Sequence, residues 1–364
     1  MTDRMPRRHF TSALACLFAV ALLVTGCGGS SDSTGSTGAA AANRPAPAKS
    51  EFPPAEGETL GEIVKGADGH SELVVSPAAI VYYKGENRVP FGVFHADRSQ
   101  VDDAKIALYV AKVPPPKGQG SGTGKNGKQK KGAVARARTE ALEQPAVGPF
   151  PAAIESLATK PAYRAQTTAS DPDAATIVYT TNIDFPSNGE WRIAALIKQG
   201  DETVATLLPS AVVGEFKGIP RVGQKAPKIH TPTPSDVGGD LSKITTRVPP
   251  DTQNRVDYAD ALGKEPILLL FATPQFCQSR VCGPVVDVAE QVKQQYGDQA
   301  AFIHMEIYKD NDPSKGVRSQ VRAFHLPSEP WLFAIDRHGV IQAEIEGAFG
   351  VDRLTRVVEE VTGQ

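Results

Sequence analysis

The chain has 364 residues, with 39 Lys and Arg against 41 Asp and Glu, for a formal net charge of -2. That length fits two domains with connecting segments, and 40% apolar residues are enough for a packed core. A near-neutral chain exerts no global electrostatic pull on nucleic acid, so no nucleic-acid partner is expected.

Arg4, Arg7 and Arg8 form a basic start, and the apolar run 14–24 behind them is too short to span a bilayer as a helix. It ends in Leu23-Val24-Thr25-Gly26-Cys27, which resembles the bacterial lipobox. The resemblance implies loss of residues 1–26 as a signal peptide and acylation of Cys27. The product is a lipoprotein anchored on the extracytoplasmic face of the cell membrane, held stably by several acyl chains. Arg7-Arg8-His9-Phe10 partly resembles a twin-arginine export signal but lacks its flanking residues, which leaves the export route open. Residues 27–70, rich in Gly, Ser, Ala, Pro and Glu, read as a disordered tether.

Residues 71–217 read as all-β, with strand-like runs at 72–76, 80–84, 105–113, 176–184, 190–198 and 203–208. In the fifth run, Trp191, Ile193, Ala195 and Ile197 alternate with Arg192, Ala194, Leu196 and Lys198, as on a strand with one clearly buried face. The expected fold is an immunoglobulin-like sandwich with no catalytic constellation, serving as a spacer or partner-binding module. Residues 114–140 read as a basic low-complexity insertion: Pro114-Pro115-Pro116, then Lys117, Lys125, Lys128, Lys130, Lys131, Arg136 and Arg138. A solvated loop is expected there, the alternative being an arm for anionic headgroups or wall polymers. A Pro-rich connector follows at 218–254.

Residues 255–364 alternate helix and strand. Helices are predicted at 256–262, 285–296, 317–324 and 352–361. Strands are predicted at 266–272, 301–308, 331–336 and 340–346, the last two joined by Arg337-His338-Gly339. The run Ile267-Leu268-Leu269-Leu270-Phe271 is continuous, as in a strand buried on both faces. The class is a mixed α/β sheet.

Removal of Cys16 with the signal and of Cys27 by lipid leaves Cys277 and Cys282. A domain of this size needs no staple for its core, so two cysteines in one short motif point to chemistry. Leu270-Phe271-Ala272-Thr273-Pro274-Gln275-Phe276-Cys277 before a helix, with Glu329-Pro330-Trp331 before a hairpin, resembles the thioredoxin-like superfamily, specifically the envelope-anchored bacterial redoxins. The resemblance covers residues 222–364. It implies a catalytic pair, Cys277 and Cys282, and a cis Pro330 flanked by Glu329 and Trp331 at the substrate groove. It implies no cofactor, and as partners cysteine-containing exported proteins or a membrane redox protein.

The motif departs from that family in spacing, with four residues between the cysteines where thioredoxins have two; the spacing is closer to peroxiredoxins of the Q type. On a regular helix, cysteines five apart stand about 8 Å from one another, and a bridge needs Cα atoms within about 7 Å. Cys277 must therefore precede the helix, or the first turn must unwind. Cys277 is the expected nucleophile, because a strand end facing a helix start offers unpaired N–H groups and a positive dipole end, with Arg280 adding charge. Cys282 would then resolve. A rival register aligns Cys282-Gly283-Pro284 with the thioredoxin Cys-Gly-Pro. Leu268-Leu269-Leu270 holds no acid, so the second thiol needs water or another base.

Three other functions stay open. Thr273-Pro274 before Cys277, with Arg318 or Arg322, resembles a peroxiredoxin peroxidase. His325 with Cys277 and Cys282 is a weak candidate for a metal, resembling the copper-binding Sco assembly factors. The pair can also be a permanent bridge in a non-catalytic surface-binding protein. His304 and His230 read as structural.

Overall fold

The computed structural model describes residues 42–70, 72–116, 127–277 and 279–363. The expected signal peptide with Cys16, the expected acylation site Cys27, the first part of the expected tether and the lysine tract at 117–126 lie outside the described residues. The helices, in chain order, are α1 (Leu60–Lys65), α2 (Gly127–Glu140), α3 (Gln166–Ala169), α4 (Tyr258–Ala261), α5 (Cys282–Tyr296), α6 (Ser319–Ala323) and α7 (Val351–Thr362). The first nine strands are β1 (Gly69–His70), β2 (Val74–Pro77), β3 (Gly85–Phe94), β4 (Lys105–Lys112), β5 (Val147–Pro151), β6 (Ala153–Ser156), β7 (Ile177–Phe185), β8 (Gly189–Gln199) and β9 (Glu202–Val213). The last four are β10 (Ile267–Phe271), β11 (Ala301–Met305), β12 (Trp331–Ile335) and β13 (Ile341–Glu346).

Two sheets, ordered β1-β9-β8-β4-β5 and β2-β3-β7-β6, make a β-sandwich. The alternation in β8 sends Trp191, Ile193, Ala195 and Ile197 into a core shared with Phe91 and Val93 of β3 and with Tyr179 and Ile183 of β7. The run 80–84 is not a strand; it leads into β3, touching the sheet through a bridge from Tyr82 to Val213. The strand itself was hidden by Gly85, Pro90 and Gly92, which lower β propensity.

The other face of β8 and β4 is apolar too, and it corrects the tether reading. Ala107, Tyr109, Ala111, Ala194 and Leu196 are covered by Phe52, Leu60, Ile63 and Val64, so residues 52–65 are an ordered layer on the sandwich. Thr59 starts α1 with a capping box: Glu62 N–H donates to Thr59 Oγ1 at 3.2 Å and Thr59 N–H to Glu62 Oε2 at 2.8 Å. The basic insertion is likewise part helix. Residues 127–140 form α2, whose Ala137 packs against Val113 and Ala141, and Arg138 pairs with Glu190.

The remaining strands form a sheet ordered β11-β10-β12-β13. β10 runs parallel to β11 and antiparallel to β12, and β13 closes a hairpin on β12. All five residues of β10 are buried. One face meets α5 and α7 through Val285, Val288, Val292, Leu354 and Val358. The other meets α4 and α6 through Tyr258, Ala261, Val321 and Phe324. This order of strands and helices agrees with the thioredoxin-like expectation. Two predicted helices are only short turns here, α4 and α6, and the strand predicted to reach residue 308 ends at Met305.

The connector at 218–254 is not a loose link. Ile219, Ala226 and Ile229 enter the core on the α4 side. Thr245, Thr246, Arg247, Asp251, Gln253 and Asn254 are buried. From the sandwich side, Leu157, Ala175 and Val178 belong to the same core as α5.

Candidate active site

β10 delivers the chain from between two apolar cores to the cysteine motif. Ala272 N–H donates to Met305 O at 3.1 Å, holding this exit to β11. Cys277 and Cys282 are joined as a disulfide with Cα atoms 5.8 Å apart. α5 begins only at Cys282, and Arg280, at φ 63°, takes a left-handed turn before it. The oxidised motif is thus non-helical between its cysteines, as the spacing argument requires. Pro284 sits in the first turn of α5, where its missing N–H costs no helical bond.

The two sulfurs are unequal. Cys282 is fully enclosed, at 0% exposure, whereas Cys277 is half-buried. The Cys282 N–H, first in the helix, donates to Cys277 Sγ at 3.3 Å, and Ser279 Oγ lies 3.2 Å from the same sulfur. Arg280 does not serve Cys277 as expected. Its guanidinium is turned to the sandwich, 3.5 Å from Asp173 and 5.4 Å from the Phe94 ring centre.

The Glu329–Pro330 peptide is cis. Because Trp331 pairs with Phe271, this bond stands at the same sheet end as the strand leading to Cys277. Glu329 is half-buried, and burial pushes its carboxyl up. Trp331 is a core residue, 3% exposed and stacked on Phe333 at 5.7 Å, with its indole N–H donating to Ser328 Oγ at 3.0 Å. A contact between Trp331 and substrate is therefore withdrawn.

A polar seam lies behind the motif, and sequence reading missed it. Both ring nitrogens of His304 face acceptors: Asp251 Oδ2 at 2.9 Å and Ala272 O at 3.1 Å. Only the doubly protonated ring donates to both. Burial pushes this imidazole down, but the charge and hydrogen bond of Asp251 win and hold it at about 8. Asp251 resists its own burial through the same contact and falls to about 2. Glu306 Oε1 accepts from Thr246 N–H at 2.7 Å and from Thr246 Oγ1 at 2.6 Å, and Gln275 N–H donates to Thr246 Oγ1 at 3.2 Å. Arg247 Nε donates to Asp287 Oδ1 at 2.9 Å within the same buried layer. One signal was available in the sequence: Asp287 breaks the apolar stretch Val285-Val286-Asp287-Val288.

The alternative site residues are placed elsewhere. Arg318 donates to Tyr308 O at 2.8 Å and to Asn311 Oδ1 at 3.0 Å, and Arg322 donates to Val317 O. His325 is exposed, with its ring over Gly218. Among the described residues, no group of three or more His, Cys, Asp or Glu is placed to hold a metal ion. No helix of the described residues is long and apolar enough to cross a membrane. His230 is in the connector and pairs with Asp257 at 2.8 Å.

The sheet order, the bridged pair at a strand exit and the cis Glu329–Pro330 peptide agree with the thioredoxin-like expectation for this part of the chain. No protein-family model matches the chain, and no curated protein matches it. Two crystal structures of Chlorobium tepidum proteins are similar to it at 17% identity and a TM-score of 0.29. One is described as a thiol:disulfide interchange protein DsbE and covers 40% of this chain and 99% of its own. The other, described as a thiol:disulfide interchange protein of the thioredoxin family, covers 39% and 98%.

Proposed function

We propose that the protein is an extracytoplasmic thiol–disulfide oxidoreductase, anchored through Cys27, with an immunoglobulin-like sandwich carried ahead of its redox half. The reading is supported above all by the unequal access of two bridged sulfurs, the outer one facing the first N–H of α5. In the reduced pair, the unpaired N–H groups and the positive dipole end at the start of α5 favour the anion at Cys277. The Cys277 thiolate attacks a substrate disulfide, forming a mixed disulfide and releasing one substrate thiolate. The Cys282 thiolate then attacks Cys277 Sγ, the mixed disulfide breaks, and the second substrate thiol leaves. The substrate gains two electrons and the pair loses them; the reverse sequence oxidises a dithiol. Glu329 and Pro330 flank the groove in which a cysteine-containing exported protein, or a membrane redox partner, is held.

Trapping tests this order of attack. The Cys282→Ser variant is expected to retain a stable mixed disulfide with an aromatic disulfide reagent, and the folded Cys277→Ser variant to react at least tenfold more slowly. A wild-type bridge that stays closed in the folded protein under excess dithiothreitol makes the pair structural and removes the activity.

A further inference from the structure

The motif loop is held from outside its own half. The chain between β6 and β7 crosses the sandwich boundary and lies on α5. Lys160 N–H donates to Gln291 Oε1 at 2.7 Å and Ala165 N–H to Asp287 Oδ2 at 3.1 Å. Both acceptors belong to the body of α5, so this footing does not depend on the bridge. The same segment then reaches the loop between the cysteines. Ala175 N–H donates to Arg280 O at 3.1 Å, and Asp173, which also holds Arg98 at 3.0 Å, meets the Arg280 guanidinium at 3.5 Å. Phe94 of β3 supplies the ring under that guanidinium. Ser279 and Val281 line a small cavity with Phe94, Gln100, Ala175 and Ile177. None of these sandwich contacts involves a sulfur. Those made by Asp173, Ala175 and Phe94 engage residues 279–281, the stretch that closing the bridge forces out of helical geometry.

We infer that the β-sandwich sets the redox equilibrium of the Cys277/Cys282 pair, with Arg280 as the positioning residue and Asp173 as its anchor. This rests on the pair being exchangeable, as proposed above. The contacts to Arg280 are those of the bridged loop. Reduction by a dithiol passes two electrons to the bridge, oxidises the dithiol to a disulfide, and frees residues 279–281 to wind onto α5, which carries Arg280 off Asp173, Phe94 and Ala175. A contact made in only one of two states shifts the equilibrium toward that state by its differential free energy. The sandwich therefore favours the disulfide, and loss of its grip favours the dithiol. Arg280 acts through the loop and touches no reacting atom.

The test titrates the full chain against reduced and oxidised dithiothreitol, reading the fraction bridged by alkylation. Asp173→Asn and Arg280→Ala are each expected to shift the exchange constant about fivefold toward the dithiol. The double variant should shift no further than the larger single change, and Asp173→Glu should restore much of the wild-type value. Lys105→Ala, which removes an exposed pair with Glu51 elsewhere on the sandwich, should leave it unmoved. Hydrogen exchange on the wild type gives a readout that needs no variant: the Ala175 amide should lose protection when the pair is reduced. Folded Asp173 and Arg280 variants with wild-type exchange constants, or equal Ala175 protection in both states, overturn the inference while the oxidoreductase reading stands. A wild-type pair that shows no reversible exchange overturns that reading, and the inference with it.

Discussion

β8 and β10 are both buried on two sides, but by different means. β8 turns Ile193 and Ile197 toward the opposite sheet of the sandwich and Ala194 and Leu196 toward α1, so distant parts of the chain supply its two covers. β10 is covered by helices that follow it or closely precede it, α5 and α7 on one face and α4 and α6 on the other. The sandwich strand keeps polar or small residues among its apolar ones, whereas β10 reads Ile-Leu-Leu-Leu-Phe. A sheet closed by its own helices announces both buried faces in one run of residues. A sheet closed by a remote segment does not.

The sharpest test of this contrast is the buried layer where the halves meet. Arg247→Ala leaves Asp287 without its guanidinium in an enclosed site, and the expected loss is about 3–5 kcal/mol in urea unfolding. A loss below about 1 kcal/mol breaks the claim that the connector helps to build the cysteine-bearing part. Next comes the remote cover of β8. Leu60→Ala, at a position with 0% exposure, should cost about 3 kcal/mol. A neutral result would return residues 52–65 to the role of a tether.

The third test is pH. His304 is held at about 8 in the fold against 6.5 unfolded, so its contribution is complete below pH 6.5 and is lost as pH rises through 8. The loss is about 2 kcal/mol. Glu346, raised to about 7 by burial, acts in the same direction, with its stabilisation lost as pH rises from 4.5 to 7. A urea midpoint that stays level between pH 6.5 and 9 would remove the charged His304 from the seam. The smallest effect is at the start of α1, where Thr59→Ala should cost about 1 kcal/mol by melting temperature, through loss of the capping box.

Much of the cysteine-bearing part was legible in residue order. The continuous β10, the later hairpin and the Glu329–Pro330 step fall where reading placed them, because each is a local pattern. Spacing alone required that a bridge between these cysteines hold Cys277 ahead of the helix or unwind its first turn, and α5 begins only at Cys282. The polar seam was not legible, because Asp251 meets His304, and Thr246 meets Glu306, only after fifty or more intervening residues have folded between them. Arg280 was read as a charge for its neighbouring sulfur, since nothing local shows that Asp173 waits on the far side of the sandwich boundary. Residues 49–65 looked like spacer because Gly, Pro and Glu dilute the apolar signal, although Thr59 and Glu62 spell a helix start.

Leu157, Ala175 and Val178 sit among the side chains of α5, and Arg247 of the connector reaches back to Tyr163 O at 2.6 Å. Among the described residues, therefore, no seam exists at which the cysteine-bearing part could be lifted out as a cassette. A fragment begun at residue 218 or 255 would bare apolar surface along α5 and strand Asp287 without Ala165. In heredity the two parts must travel together, and a crossover landing between residues 157 and 254 yields offspring with a core cut in two.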